Sequence, residues 1–285
     1  MEMKYVATRA GRLSSILRGD MKISTGLMNR LKWNEKILVN GVAQHTDFVV
    51  QPGDEITVIL EEQITDFSAE RGNLTILYED AHILAVDKPA GMLIHPSRSQ
   101  NTGTLANFVA GYYEATDQQS AFHPVTRLDR DTFGVVLLAK NSHIHAALQA
   151  ADVEKTYHAW VYGGPQQISG IIDAPIARRP LPSLLRFISP EGKPSVTAYR
   201  VLQRSDDTSV LELRPITGRT HQLRLHCAHM GFPILGDPQY GSEESQQFSA
   251  QLGLSYQRLC AKSVRFIHPI TGEMLTITTN VNAEI

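Results

Sequence analysis

Arg127-Leu128-Asp129-Arg130-Asp131-Thr132-Phe133-Gly134-Val135-Val136-Leu137-Leu138-Ala139 is the stretch from which the rest of the chain can be read. Gly134–Ala139 is a short apolar run of strand length, and it predicts a strand buried on both faces. Two carboxylates and two guanidinium groups fall within the five residues Arg127–Asp131 at the mouth of that strand. An aspartate in such a place is most often a turn acid or a helix cap. The arginines argue for more. A guanidinium beside Asp129 would favour the ionised carboxylate, and a nucleophilic or basic carboxylate needs that ionisation. Polar loops at strand ends often carry function.

Outward from this stretch the texture is rich in strands. Leu74–Tyr78 and His82–Val86 upstream, and Thr156–Tyr162, Ser195–Leu202, Ser209–Arg214, Leu259–Phe266 and Leu275–Thr279 downstream, all read as strands. Leu105, Phe108, Val109, Tyr112 and Tyr113 mark an amphipathic helix. Ser142 is placed to cap a short helix, and His221–Met230 reads as a helix closed by Gly231. Long strand runs with few helices predict an α+β fold built on a large, mostly antiparallel mixed sheet. Nearer the N-terminus, Leu13, Ile16, Leu17 and Met21 recur at helical spacing, and Thr25–Trp33 predicts a second helix. Asn40-Gly41 between Ile37–Val39 and Val42 is a strong hairpin signal, and Glu55–Leu60 alternates as a half-buried strand does. The expected organisation is a small α/β module over residues 1–62, a polar linker over 63–73 and a large domain over 74–285.

A second chemical cluster is Thr217-Gly218-Arg219-Thr220-His221-Gln222-Leu223-Arg224-Leu225-His226. A glycine-containing turn feeds a helix whose first residues are basic and polar, which suits a phosphate or carboxylate. Arg219 and Arg224 are five residues apart and point to different sides of a helix. The spacing of His221, His226, Cys227 and His229 lacks a paired ligand pattern, so no metal is expected. Between the clusters, Tyr157 shares a strand face with Ala159 and Val161, opposite Thr156, His158 and Trp160. Such a tyrosine is either core or a stacking platform for a base.

Composition bounds the partners. The net charge of −2 hides zones: residues 1–36 hold eight Lys/Arg against three Asp/Glu, residues 37–87 one against ten, and residues 121–230 thirteen against nine. Two basic zones flank an acidic one. Apolar runs are too short to cross a bilayer, a signal peptide is not evident, and two cysteines set no disulfide framework. A cytoplasmic protein is the expectation.

Taken together the motifs resemble the RluA-type family of pseudouridine synthases. Asp87-Lys88-Pro89-Ala90-Gly91-Met92 with His95-Pro96 resembles the family's K-P-x-G turn. Arg127–Gly134 resembles H-R-L-D-R-x-T-S-G, and Lys155-x-Tyr157-x-Ala159 resembles K-x-Y-x-A. Thr217–His226, with Gly231-x-Pro233-Ile234-x-Gly236-Asp237 and Tyr240-Gly241, resembles the closing stretch. Thr126 stands where His is usual and Phe133 where Ser or Thr is usual. The resemblance spans roughly 74–285, and residues 12–62 resemble an RNA-binding domain shared with a small-subunit ribosomal protein.

The resemblance implies an isomerase that turns uridine into pseudouridine in ribosomal or transfer RNA, without cofactor, acting as a monomer. It assigns Asp129 as the carboxylate and leaves open whether Asp129 attacks sugar or base or removes the 2′ proton. It makes Tyr157 the residue that stacks on the target base, with a hydroxyl able to move a proton. Arg224 becomes the partner of Asp129, with Arg219 the second candidate, and Arg127 fills the space left by the extruded base. Arg130, Arg219 and His221 join Arg127 as RNA-binding or base-flipping residues. Two rival classes are a non-catalytic RNA-binding protein and a glycosidic-bond hydrolase with paired carboxylates, in which Asp131 would have to serve as the second acid.

Overall fold

The computed structural model describes residues 2–23, 25–32, 35–59, 68–97, 99–180, 183 and 185–283. The N-terminal part holds β1 (Glu2–Val6), β2 (Gly11–Arg12), α1 (Leu13–Gly19), α2 (Thr25–Lys32), β3 (Ile37–Val39), β4 (Val42–Ala43), β5 (Val49–Val50) and β6 (Glu55–Ile59). There follow β7 (Thr75–Glu79), β8 (Ile83–Lys88), α3 (Leu105–Ala115), β9 (His123–Pro124), β10 (Phe133–Ala139), α4 (Ser142–Ala150) and β11 (Glu154–Tyr162). The chain then forms β12 (Ser169–Asp173), β13 (Ile176–Arg178), β14 (Arg186–Ile188), β15 (Val196–Arg204) and β16 (Thr208–Pro215). It closes with α5 (Gln222–His229), α6 (Glu243–Gln251), β17 (Leu259–Ile267) and β18 (Met274–Thr278).

In the N-terminal part an antiparallel sheet of order β1-β6-β3-β4 encloses its own core with Leu13, Ile16 and Leu17 of α1. Asn40 and Gly41 both take positive φ, 50° and 80°, the geometry that a two-residue hairpin turn demands. Met21 is buried in this core although α1 ends before it. The expected second helix runs over Thr25–Lys32, and Trp33 and Leu60 lie outside the described residues, as do residues 63–67 of the expected linker. Residues 68–72 are tied down. Glu70 donates its N–H to Asn107 and takes the Gly103 N–H on its carboxylate, and Asn107 donates its amide to the Ser68 carbonyl.

The main sheet follows the order β12-β15-β16-β11-β17-β10-β8-β7, with β18 on β17 and β9 on β10. The expected α+β architecture and mostly antiparallel sheet are present. Among the described residues the one parallel pairing is β10 with β17, over Phe133↔Cys260 and Gly134↔Ala261. The apolar run of β10 is explained by cover on both faces. Val135, Leu137 and Ala139 pack with Ile144 and Leu148 of α4. Val136 and Leu138 pack with Leu105, Val109 and Tyr113 of α3. Removing such a side chain down to alanine costs roughly 2–5 kcal/mol. One local expectation is corrected: the cap of α4 is Asn141, whose side chain accepts the Ile144 N–H, rather than Ser142, the first helical residue.

Candidate active site

Three strands set the site. Ala261 of β17 is flanked by Tyr157 of β11 on one side and by Gly134 of β10 on the other. Two strand spacings of ~4.8 Å therefore separate the tyrosine from the start of β10, where the Asp129 loop ends. A register shift at Thr156/Tyr157 opposes the tyrosine to Ala261 instead of Lys262. Such bulges re-aim side chains beside functional sites. Gly134 has φ 104°, and a Cβ there would run into the Ala261 backbone.

The loop itself is anchored from beneath. Lys88 is fully buried and its ammonium donates to the carbonyls of Pro89, Met92 and Arg130 at 2.8, 2.9 and 2.8 Å. Burial lowers its pKa from 10.5 to about 8, opposed by the charges of Asp131 and Asp129. Thr132 gives its N–H to the Asp129 carbonyl and takes the Gln257 amide on its hydroxyl.

Asp129 meets α5. Arg224 Nη1 donates to Asp129 Oδ2 at 3.2 Å, and the rest of its guanidinium is held elsewhere. Nε and Nη2 grip Asp237 in a bidentate pair at 2.7 and 2.8 Å, Nη2 also reaches Gln239, and the group lies 5.1 Å from the Tyr240 ring centre. Arg224 and Asp237 are almost wholly hidden, while the Asp129 side chain keeps 29% of its surface open. His221 Nε2 lies 3.9 Å from Asp129 Oδ2. The helix is aimed by Gln222, whose amide bonds Thr217, the Arg219 N–H, the Val196 carbonyl and Thr197. Tyr157 is buried with Ala159 and Val161. Burial and then the Asp129 charge raise its pKa above the usual phenol range, so its hydroxyl stays protonated.

The structure therefore brings Asp129, Arg224, His221 and Tyr157 to one place. It does not bring the other arginines there. Arg130 chelates Asp131 at 3.1 and 3.3 Å, so both are turned to each other rather than to Asp129. Arg219 donates to the Pro194 carbonyl on the exposed side of the turn. Arg127 is exposed and is felt electrostatically by His95. The two departures from the motif are accommodated. Thr126 is buried and accepts the Leu137 N–H. Phe133 packs against Cys260 and Ala283, with the Arg258 guanidinium 5.5 Å from its ring centre.

Sequence reasoning assigned no role to Lys88, Asp237 or Tyr240, although each stands in a quoted motif. It also passed over Arg186, whose backbone N–H donates to the Tyr240 hydroxyl. No local signal marks that contact, because β14 and the Tyr240 turn meet only in the folded chain.

Comparison with known proteins places these residues in a wider set. A family described as RNA pseudouridylate synthase matches residues 82–229. An uncharacterized RNA pseudouridine synthase of Bacillus subtilis is 36% identical over 262 residues, covering 90% of this chain and 90% of its own length. Ribosomal large subunit pseudouridine synthase D of Xanthomonas campestris is 36% identical over 245 residues, 81% of this chain and 72% of its own. Among solved structures, human RNA pseudouridylate synthase domain containing 1 superposes with a TM-score of 0.61 at 26% identity, covering 74% of this chain and 86% of that one.

Proposed function

The chain belongs to the RNA pseudouridylate synthase family, and from that premise we propose that Asp129 is the carboxylate with which it isomerises uridine, with Arg224 as its fixed counter-charge. The observation that carries the reading is the Asp129–Arg224–Asp237 chain. One guanidinium is clamped by a buried aspartate and offers its remaining Nη1 to an aspartate that is still open to solvent. The buried guanidinium fixes the carboxylate through Oδ2 and balances its negative charge. The isomerisation breaks the carbon–nitrogen glycosidic bond and joins carbon 5 of the base to the sugar; carbon 5 then gives up its proton and N1 takes one up, so the net reaction consumes no water and needs no hydrolytic pair of acids.

A paired-carboxylate hydrolase gains no support, since Asp131 is bound to Arg130 and Asp237 to Arg224. Because the reacting atoms are covered in a stacked helix, the uridine must be flipped out at a cost of a few kcal/mol. In this reading Tyr157 stacks on it, and Arg127, exposed in the structure, fills the gap. Relatives named for the large ribosomal subunit support ribosomal RNA as the target class. Residues 1–36, with eight Lys/Arg against three Asp/Glu, are proposed to add phosphate contacts. The reading is completed by a monomer acting on ribosomal RNA in the cytoplasm.

The test is Asp129→Asn, purified from a strain lacking the wild-type gene. It should fold and bind RNA within several-fold of wild type and give no pseudouridine, while wild type leaves the RNA mass unchanged. Measurable turnover by the variant would remove Asp129 from the role. Mapping pseudouridines in the deletion strain identifies the target, and loss at a transfer RNA site would overturn the ribosomal assignment.

A further inference from the structure

His221 combines two features that a helix-starting residue rarely shares. Its backbone sits at φ 58°, ψ 18°, a left-handed conformation uncommon outside glycine, which asparagine, aspartate and histidine adopt more often than other side chains. Its ring is nonetheless held firmly, with Nδ1 2.9 Å from the Tyr240 hydroxyl and the two rings edge to face. Strain kept at a site is a pointer to function.

The hydrogen bonds around Tyr240 favour one histidine tautomer. The phenolic oxygen accepts the Arg186 N–H at 3.0 Å, and its own hydrogen has Nδ1, 2.9 Å away, as an acceptor. A neutral imidazole that accepts at Nδ1 carries its proton on Nε2. The ring is neutral near pH 7: burial, then Arg224 and Arg186, lower its pKa, and only Asp129 and Asp237 oppose them. Nε2–H thus faces Asp129 Oδ2, the same oxygen that Arg224 binds. Among the described residues no hydrogen bond is made to Asp129 Oδ1.

We propose that His221, locked as its Nε2–H tautomer by Tyr240, is a positioning residue that closes on Asp129 Oδ2 beside Arg224 and leaves Oδ1 as the oxygen that reacts. This rests on Asp129 being the reacting carboxylate. The present 3.9 Å gap is one that a small side-chain movement closes when RNA fills the site. His221 then orients the carboxylate rather than gripping RNA.

The experiment compares His221→Gln, His221→Asn and Tyr240→Phe with wild type. The substrate is total RNA from a strain lacking this gene. The readouts are the single-turnover rate with enzyme in excess and the enzyme concentration giving half that rate. Glutamine carries an N–H about as far from the backbone as Nε2, whereas asparagine falls short but suits the left-handed backbone better. His221→Gln should stay within about ten-fold of wild type, and His221→Asn should lose about 10²-fold, the scale of a lost oriented donor. Half-saturation should not move for either variant.

Tyr240→Phe keeps the ring against Arg224 and loses the hydroxyl that holds Nδ1 and accepts the Arg186 N–H, so its rate should fall about ten-fold at unchanged half-saturation. It also decides the matter if the glutamine variant fails to fold. Asparagine equal to or better than glutamine, or an unchanged rate in Tyr240→Phe, would overturn the proposal, as would losses confined to half-saturation. Asp129→Asn run in parallel reports separately on the premise, because its turnover would sink the Asp129 reading whatever the histidine variants do.

Discussion

At the scale of single residues, the site is a set of side chains whose freedom has been removed from several directions. Tyr157 has its hydroxyl kept protonated by burial and by Asp129. Tyr157→Phe should bind RNA as wild type does, because the ring remains to stack. Its turnover should fall by roughly 10²–10⁴-fold, the range of a lost proton-transfer group; a near-normal rate would leave stacking as its only role. Lys88 acts at one remove. Its three N–H groups are matched to three carbonyls, one of them on the Asp129 loop. Lys88→Met keeps the bulk and strands all three acceptors, at ~1–3 kcal/mol for each left unsatisfied. We expect the melting temperature to drop by at least ~5 °C and the rate to fall with it, and a variant with unchanged melting and rate would show that the anchor is dispensable.

At the scale of elements, the two clusters were legible because chemistry and local structure coincide there. The crowded loop leads into an apolar run that only a doubly covered strand explains, and the Thr217–His226 turn leads into a helix. The unread elements lack such agreement. In α6 the buried positions are Ser245 and Ser249, so no apolar stripe announces it. β13 and β14 are three residues each, too short to show a strand period, and Arg179-Pro180 follows β13 directly. Gly134 shows how far an element depends on one position, since its left-handed backbone lies against Ala261. Gly134→Ala should push β10 from β17, lower stability by more than the ~1 kcal/mol expected of backbone entropy alone, and impair turnover through the misplaced Asp129 loop. A soluble variant with wild-type melting and rate would refute this.

At the scale of the molecule, the charge zones invite a test of the N-terminal part. Deletion of residues 1–67 is the right cut, because Ser68 and Glu70 bond α3 and Gly103. The truncated protein should fold, bind long RNA more weakly and show a salt dependence flatter by roughly 0.7–0.9 per lost phosphate contact. Equal slopes for the full and truncated proteins would deny the N-terminal part any phosphate contact. The position of β17 has a further consequence, for the chain as it is being made. Asp129 and Tyr157 sit on opposite sides of a strand that begins at Leu259, so their alignment depends on contacts over a hundred residues apart in sequence. Pairings that distant form slowly. Until β17 emerges from the ribosome, β10 and β11 each present an unfilled edge, a state prone to association with other chains. A nascent chain that stops between Tyr157 and β17 carries both residues and has neither in register with the other, so competence to modify RNA arrives only once β17 has been made. A protease that clips away β17 would silence the enzyme without touching any residue of the Asp129 cluster.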